Sequence, residues 1–401
     1  MQDTLTLMDD WGPEKIICVS DPRTGMRGVL VIDNTARGIG KGGVRMSPTV
    51  TVQEVARLAR VMTWKWALAD IFLGGAKAGI QADPRSPDKE AVLRSWCRAL
   101  SKHIPSEYVA GLDMGMSERD AAVIQDALGD AGASMGTPSA LGGVPYDELG
   151  LTGYGVAECA DAVVRRAGET LAGARVAVQG FGAVGHAAAK RLHELGAQIV
   201  AISTRKGAIR ADDGLDVDRL LELRAELGDD LCDAYDGAER IELGDELLLG
   251  VDVLVPAAGQ DVIDEALASR LSARFVIEGA NMPTDAAAQR ALRARGIVVA
   301  PDVVANAGAV IAAGAGMSAR QSALRLEAGP IFEVVSSKLR ANVVHVLERA
   351  ASLECTPHEA AVTLAQERVG EAMRLKGRLA PPAPEPASNG DAAELVVGAR
   401  R

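Results

Sequence analysis

Residues 175–185 read RVAVQGFGAVG. Arg175–Gln179 is a short apolar run that reads as a strand. It leads into Gly180-Phe181-Gly182-Ala183-Val184-Gly185, and a helical stretch follows to about Gly196. A GxGxxG pattern alone is a weak signal, but between a strand and a helix it has a mechanism. Gly180 permits the tight turn, Gly182 lets the backbone approach a pyrophosphate, and Gly185 allows close helix–strand packing. The helix start offers unpaired N–H groups to the phosphates. A glycine turn without a ligand is the structural alternative, and the order strand, motif, helix argues against it.

Downstream, Ile199–Ser203, Val253–Pro256, Phe275–Glu278 and Ile297–Ala300 continue as strands separated by helical segments. Such alternation implies a parallel sheet wrapped by helices. An NAD site usually carries an acid about 20 residues after the glycines, on the ribose hydroxyl. Here Ser203, Thr204, Arg205 and Lys206 occupy that turn, with two cations and no carboxylate. That suits a 2′-phosphate, so NADP is expected over NAD; solvated turn cations are the plainer reading.

Upstream, Ile16–Ser20 and Gly28–Asp33 read as a hairpin. Gly38–Gly43 and Gly74–Gly79 read as glycine-rich loops, on either side of a helix beginning at Thr51. Thr51 and Glu54 make a T-x-x-E capping box, and Val55, Leu58, Met62 and Trp66 recur at helical spacing. Beyond Ala319 the pattern is helical, roughly Pro330–Ala350 and Pro357–Lys376. The tail from 377 is rich in Pro, Ala and Gly and is expected to be disordered.

The 401 residues suggest two domains. A net charge of −11 argues against nucleic acid or anionic lipid as the main partner. No unbroken run of 18 apolar residues or secretory leader is evident, so a cytoplasmic protein is expected. The five cysteines are scattered and form no CxxC pair, which fits free thiols in a reducing compartment. No His/Cys cluster suggests a metal site.

Three lysines stand out. Lys41 and Lys77 sit among glycines, and Lys65 falls on or beside the apolar face of its helix. Mobile loops for the first two, and snorkelling for the third, are the structural alternatives. Fixed cations suit a small anionic substrate, and a desolvated lysine acquires a lowered pKa useful in acid–base chemistry.

The segments GKGGVR, MTWKWAL, GGAKAG, GLDMG, LTGYGV, VQGFGAVG, EGANMPT and PDVVANAG occur in that order. Together they resemble the signatures of the glutamate/leucine/phenylalanine/valine dehydrogenases, over nearly the whole chain. The resemblance implies Lys77 and Asp113 as catalytic groups, Lys65 on the α-carboxylate and Lys41 on a side-chain carboxylate. It implies Gly42, Gly111, Val310 and Ala313 around the substrate. It places Thr152, Ala257, Ala258, Asn281 and Asn306 with the glycine turn and residues 203–206 around the cofactor. The implied reaction is reversible oxidative deamination of an L-amino acid, glutamate first, to a 2-oxo acid and ammonia.

Three positions depart from the family's usual pattern. Ala78 replaces a glycine, Ala183 an asparagine, and Ala313 a serine that helps define the substrate pocket. A specialised amino acid is therefore a second expectation, with Gly111 leaving extra room. A catalytically silent nucleotide-binding regulator is a third, opposed by the joint presence of Lys65, Lys77 and Asp113. The expected architecture is α/β with two domains and a homo-oligomer, hexamer or dimer. Residues 1–145 form the substrate and oligomerisation domain, 146–318 a Rossmann domain, and 319–376 helices returning to the first.

Overall fold

The computed structural model describes residues 4–144, 146, 148–319 and 327–379. The expected tail therefore falls outside the described residues from 380 onward.

A five-stranded sheet opens the chain, in the order β1-β2-β4-β3-β5. Its strands are β1 (Lys15–Asp21), β2 (Met26–Asn34), β3 (Gly40–Met46), β4 (Gly74–Ile80) and β5 (Tyr108–Leu112). The hairpin β1–β2 is antiparallel, whereas β3 runs parallel to both β4 and β5. Both glycine-rich stretches read as loops are thus central strands. Helix α1 (Val52–Leu68) covers one face, and α2 (Lys89–Ala99) and α3 (Glu118–Leu128) belong to the other side. Only half of the expected capping box forms. Thr51 Oγ1 accepts from the Glu54 N–H, but the Glu54 carboxylate turns to Arg45 at 2.6 Å.

Helix α4 (Leu151–Arg166) leads into a seven-stranded sheet. Its order is β12-β11-β10-β6-β7-β8-β9, with parallel pairing from β12 through β7. The parallel strands are β6 (Arg175–Gln179), β7 (Gln198–Ser203), β10 (Val253–Pro256), β11 (Phe275–Ile277) and β12 (Val298–Ala300). Two short antiparallel strands, β8 (Ala208–Arg210) and β9 (Glu239–Ile241), extend the edge beyond β7. Around the sheet lie α5 (Ala183–Glu194), α6 (Val217–Leu227), α7 (Leu231–Ala234), α8 (Glu265–Ala268), α9 (Ala286–Ala294) and α10 (Asp302–Ala305).

The chain returns through α11 (Gly308–Ala319), α12 (Ala328–Ser352) and α13 (Pro357–Leu375). Of the two helices expected on the first sheet's unit, α13 packs there, against α1. Helix α12 lies along α4 and α11, and it reaches the first unit through Lys338, whose ammonium donates to the Ala69 and Asp70 carbonyls. Arg368 of α13 donates to the Ala67 and Leu68 carbonyls. Cations thus cap the exposed carbonyls at the end of α1 and meet its dipole. Asp302–Ala319 is apolar and long enough by composition to cross a membrane, but 61% of it is buried here as core.

Candidate active site

The two sheets face each other across a cleft, and the three lysines lie on its first-sheet side. On β4, Gly75 and Gly79 flank Lys77. A Cβ on either would meet Thr63 or Val55 of α1, at 2.0 and 2.7 Å. Side chains alternate along a strand, so Lys77 shares this helix-facing side. The glycines let α1 approach closely, and Lys77 is buried as a result. On β3, Lys41, Gly43 and Arg45 alternate on the same side. A Cβ on Gly43 would stand 2.7 Å from that of Asp113, so this glycine clears space for the acid.

Asp113 follows the end of β5. Its Oδ2 lies 3.3 Å from Lys77 Nζ and accepts from Arg45 Nε at 2.7 Å. Burial alone would push the Asp113 carboxyl up. Lys77 and Arg45 outweigh it and hold the group below the ordinary carboxylate value. Burial lowers the Lys77 ammonium, and Asp113 offsets this only in part. Arg45 was not singled out from the sequence; its place on the face of Lys41 follows only once this stretch is seen to be strand β3.

Lys41 is buried and donates to the Ala110 carbonyl at 2.9 Å. A Cβ on Gly111 would come within 2.6 Å of the Lys41 ammonium. The room expected at Gly111 is therefore taken by that ammonium rather than left for a larger substrate. Gly42 serves packing: a Cβ there would collide with the Ala76 carbonyl, and its own carbonyl accepts from Tyr108 at 2.9 Å. Lys41, Gly42, Lys77, Gly111, Asp113, Val310 and Ala313 line one cavity of about 600 Å³. Met62, Trp66, Met135, Val144 and Tyr146 supply much of its remaining wall.

Lys65 crosses the cleft. Its ammonium donates to Asn281 Oδ1 at 3.3 Å and Asn306 Oδ1 at 3.2 Å. Burial lowers its pKa, Asp302 partly opposes this, and Lys77 adds to it. An ammonium has three donors, so one remains for a carboxylate. Behind the asparagines, Asp302 Oδ2 accepts from the Met282 N–H and its own N–H donates to Glu278 Oε2. Burial, then Asp302, push the Glu278 carboxyl up to about 8.

On the second sheet, the glycine turn behaves as its spacing requires. Gly180 has φ +85°, and Gly185 has no room for a Cβ, which would stand 1.9 Å from the Gly180 carbonyl oxygen. A Cβ on Gly182 would meet nothing within 4 Å. That open space, and α5 starting without a side-chain cap, fit a dinucleotide whose phosphates accept from the helix N–H groups. Phe181 is buried, whereas Ala183 is exposed and Val184 half-buried. Ala257 and Ala258 follow β10 beside the turn: Ala257 N–H donates to Gln179, and a Cβ on Gly180 would touch Ala258. Thr152 is in the first turn of α4, whose Gly153 packs on the Val184 carbonyl.

Ser203 Oγ accepts from the Gly180 N–H at 3.0 Å, fixing the turn. The Thr204 hydroxyl points inward to the Asp229 carbonyl. Arg205 and Lys206 are exposed and form ion pairs with Asp229 and Asp230. Among the described residues no cluster of His, Cys, Asp or Glu could hold a metal.

A buried lysine beside a half-buried aspartate at the edge of one sheet, together with a dinucleotide-type glycine turn on the other, fits an oxidoreductase acting on a small charged molecule. Comparison with known proteins narrows this. Residues 142–377 match the Glutamate/Leucine/Phenylalanine/Valine dehydrogenase domain, and residues 13–129 match that family's dimerisation domain. The chain belongs to this family and is an amino-acid dehydrogenase. The NADP-specific glutamate dehydrogenase of Saccharolobus shibatae is 32% identical over 94% of this chain and 92% of its own. Glutamate dehydrogenase A2 of Halobacterium salinarum is 38% identical over 75% of each. The hetero-hexameric glutamate dehydrogenase of Thermus thermophilus, in a Leu-bound form, aligns with a TM-score of 0.79 at 31% identity. That alignment covers 94% of this chain and 93% of the other.

Proposed function

We propose that the chain catalyses the reversible NADP-dependent oxidative deamination of L-glutamate. The observation that carries this reading is the Lys77–Asp113 pair, 3.3 Å apart, in one cavity with the Lys41 ammonium. Lys41 meets the side-chain carboxylate and Lys65 the α-carboxylate, so the substrate is held at both ends. Asp113, kept ionised by its two cations, takes a proton from the substrate's amino group. Lys77 donates to the oxygen that adds to Cα, and its lowered pKa lets it give and regain that proton. When bound, the dinucleotide supplies the acceptor for the hydride leaving Cα. Water replaces the nitrogen, giving 2-oxoglutarate, ammonium and one released proton.

NADP is favoured because the turn after β7 offers Arg205 and Lys206 and no acid. Their pairs with Asp229 and Asp230 lie at the surface, where solvent screening and side-chain entropy leave them weak, so a phosphate can displace them. We assign residues 1–145 to substrate binding and homo-oligomer formation and 146–318 to the dinucleotide. The cytoplasm is the compartment that its free cysteines suit.

The test is an amino-acid panel with NADP and with NAD, run on wild type and Lys41→Leu at alkaline pH. Wild type should favour glutamate and NADP. The variant should favour leucine or valine, since a desolvated ammonium facing methyl groups costs roughly 1–3 kcal/mol. A wild-type preference for an apolar amino acid would remove Lys41 from the side-chain pocket and leave the dehydrogenase assignment standing.

A further inference from the structure

The wall of the substrate cavity covers a polar atom that none of these roles uses. Tyr146 lines it together with Lys41, Met135 and Ala313. Its hydroxyl oxygen is sealed from solvent and has no hydrogen-bond partner among the described residues. A buried hydroxyl without a partner is costly, and native structures rarely leave one unless a ligand completes it. The position is built rather than incidental. A Cβ on Gly316 would stand 2.7 Å from the Tyr146 oxygen and 2.8 Å from the Met135 methyl, so helix α11 makes room for the hydroxyl by carrying glycine there. Gly316 lies three residues after Ala313, so the two are neighbours on one helix face. At Ala313 that face offers only a methyl group to the cavity.

We propose that Tyr146 determines specificity: with Met135 displaced by the substrate, its uncovered hydroxyl donates a hydrogen bond to the polar end of the substrate's side chain, in the cavity it shares with Lys41. The inference rests on the glutamate reading and sharpens it: a carboxylate accepts from both groups at once. Burial pushes the Tyr146 phenol up to about 12, so it keeps its proton and acts as a donor at working pH. The hydroxyl's neighbour, Met135, is a flexible thioether that moves aside at little cost.

Tyr146→Phe removes the oxygen alone. The measurement is kcat and KM for L-glutamate and L-norvaline, with the melting temperature of each protein. The KM for glutamate should rise, and the glutamate-to-norvaline ratio of kcat/KM should fall by roughly 10- to 100-fold, the weight of a hydrogen bond to a charged group. Gly316→Ala, whose Cβ displaces the hydroxyl, should move the ratio the same way and serves if the first variant misfolds. A ratio held within about twofold, with a raised melting temperature, overturns the proposal, since deleting a merely orphaned hydroxyl stabilises. If wild type itself prefers norvaline, the glutamate reading fails on the unmutated enzyme. Tyr146 is then judged on the same ratio, which must still move.

Discussion

The two sheets use glycine for opposite purposes. In the dinucleotide unit the glycines sit in a turn, where Gly180 adopts φ +85° and Gly182 leaves space outside the protein. In the substrate unit Gly75 and Gly79 lie inside a strand, and the space they leave is filled by α1. One set makes room for a ligand's phosphates. The other makes room for a helix, and so buries the lysine between them. The same residue type thus carries affinity on one side of the cleft and packing on the other.

The largest effect should come from Lys77, which the strand glycines bury, and from its partner Asp113. Lys77→Ala and Asp113→Asn should each lower kcat by at least ~10²-fold, the lower range for an acid–base group. Dinucleotide binding, followed by fluorescence titration, should be retained, because neither residue touches the second sheet's glycine turn. Wild-type turnover in either variant would remove the pair from the chemistry.

The glycines themselves give the next test. Gly75→Ala puts a methyl group into the Thr63 backbone and should cost roughly 1–3 kcal/mol of stability, the usual penalty of overpacking. Gly182→Ala meets no protein atom within 4 Å, so it should unfold like wild type and instead weaken dinucleotide binding. Denaturant midpoints and cofactor titrations on both variants decide the matter. A destabilised Gly182→Ala with normal cofactor affinity would erase the contrast.

The last effect is read along pH and concerns Glu278. Its folded-state pKa of about 8 lies above the ordinary 4.5, so the native state holds this proton more tightly than the unfolded chain. The stabilisation is complete below about 4.5 and is lost as pH rises through about 8. Its contribution to the slope is at most about 1.4 kcal/mol per pH unit. Glu278→Gln mimics the protonated form and should flatten the fall in melting temperature between pH 5 and 9. Parallel wild-type and variant curves would show that Glu278 does not titrate in that window.

The dinucleotide unit was readable because its motif and its strand–helix alternation follow local rules. The β6–α5 turn stands where the spacing put it, and the strands match to within a residue or so. The short strands β8 and β9 gave no such pattern, being three residues each and paired only at the edge. In the substrate unit the local rules misled. Glycine is a poor strand former, so GKGGVR and GGAKAG read as loops; the close approach of α1 to β4, and of Asp113 and the Ala76 carbonyl to β3, is what these strands need glycine for. The lysines and Asp113 were legible through resemblance. Arg45 and Tyr146 were not, since their roles depend on partners 68 residues away for Arg45 and on a gap in helix α11 for Tyr146.

The capping of α1 also sets an order of events during synthesis. The carbonyl of Ala67 is met by Arg368, 301 residues later. Until α13 has been made, the Ala67 and Leu68 carbonyls lack this charged partner, although the strands beside the helix were made long before. The helix end in the first unit to be translated is therefore completed only after the whole second sheet has been synthesised. A chain stopped short of residue 368 would carry Lys41, Lys65 and Lys77 and still lack the clasp at the end of the helix bearing Lys65.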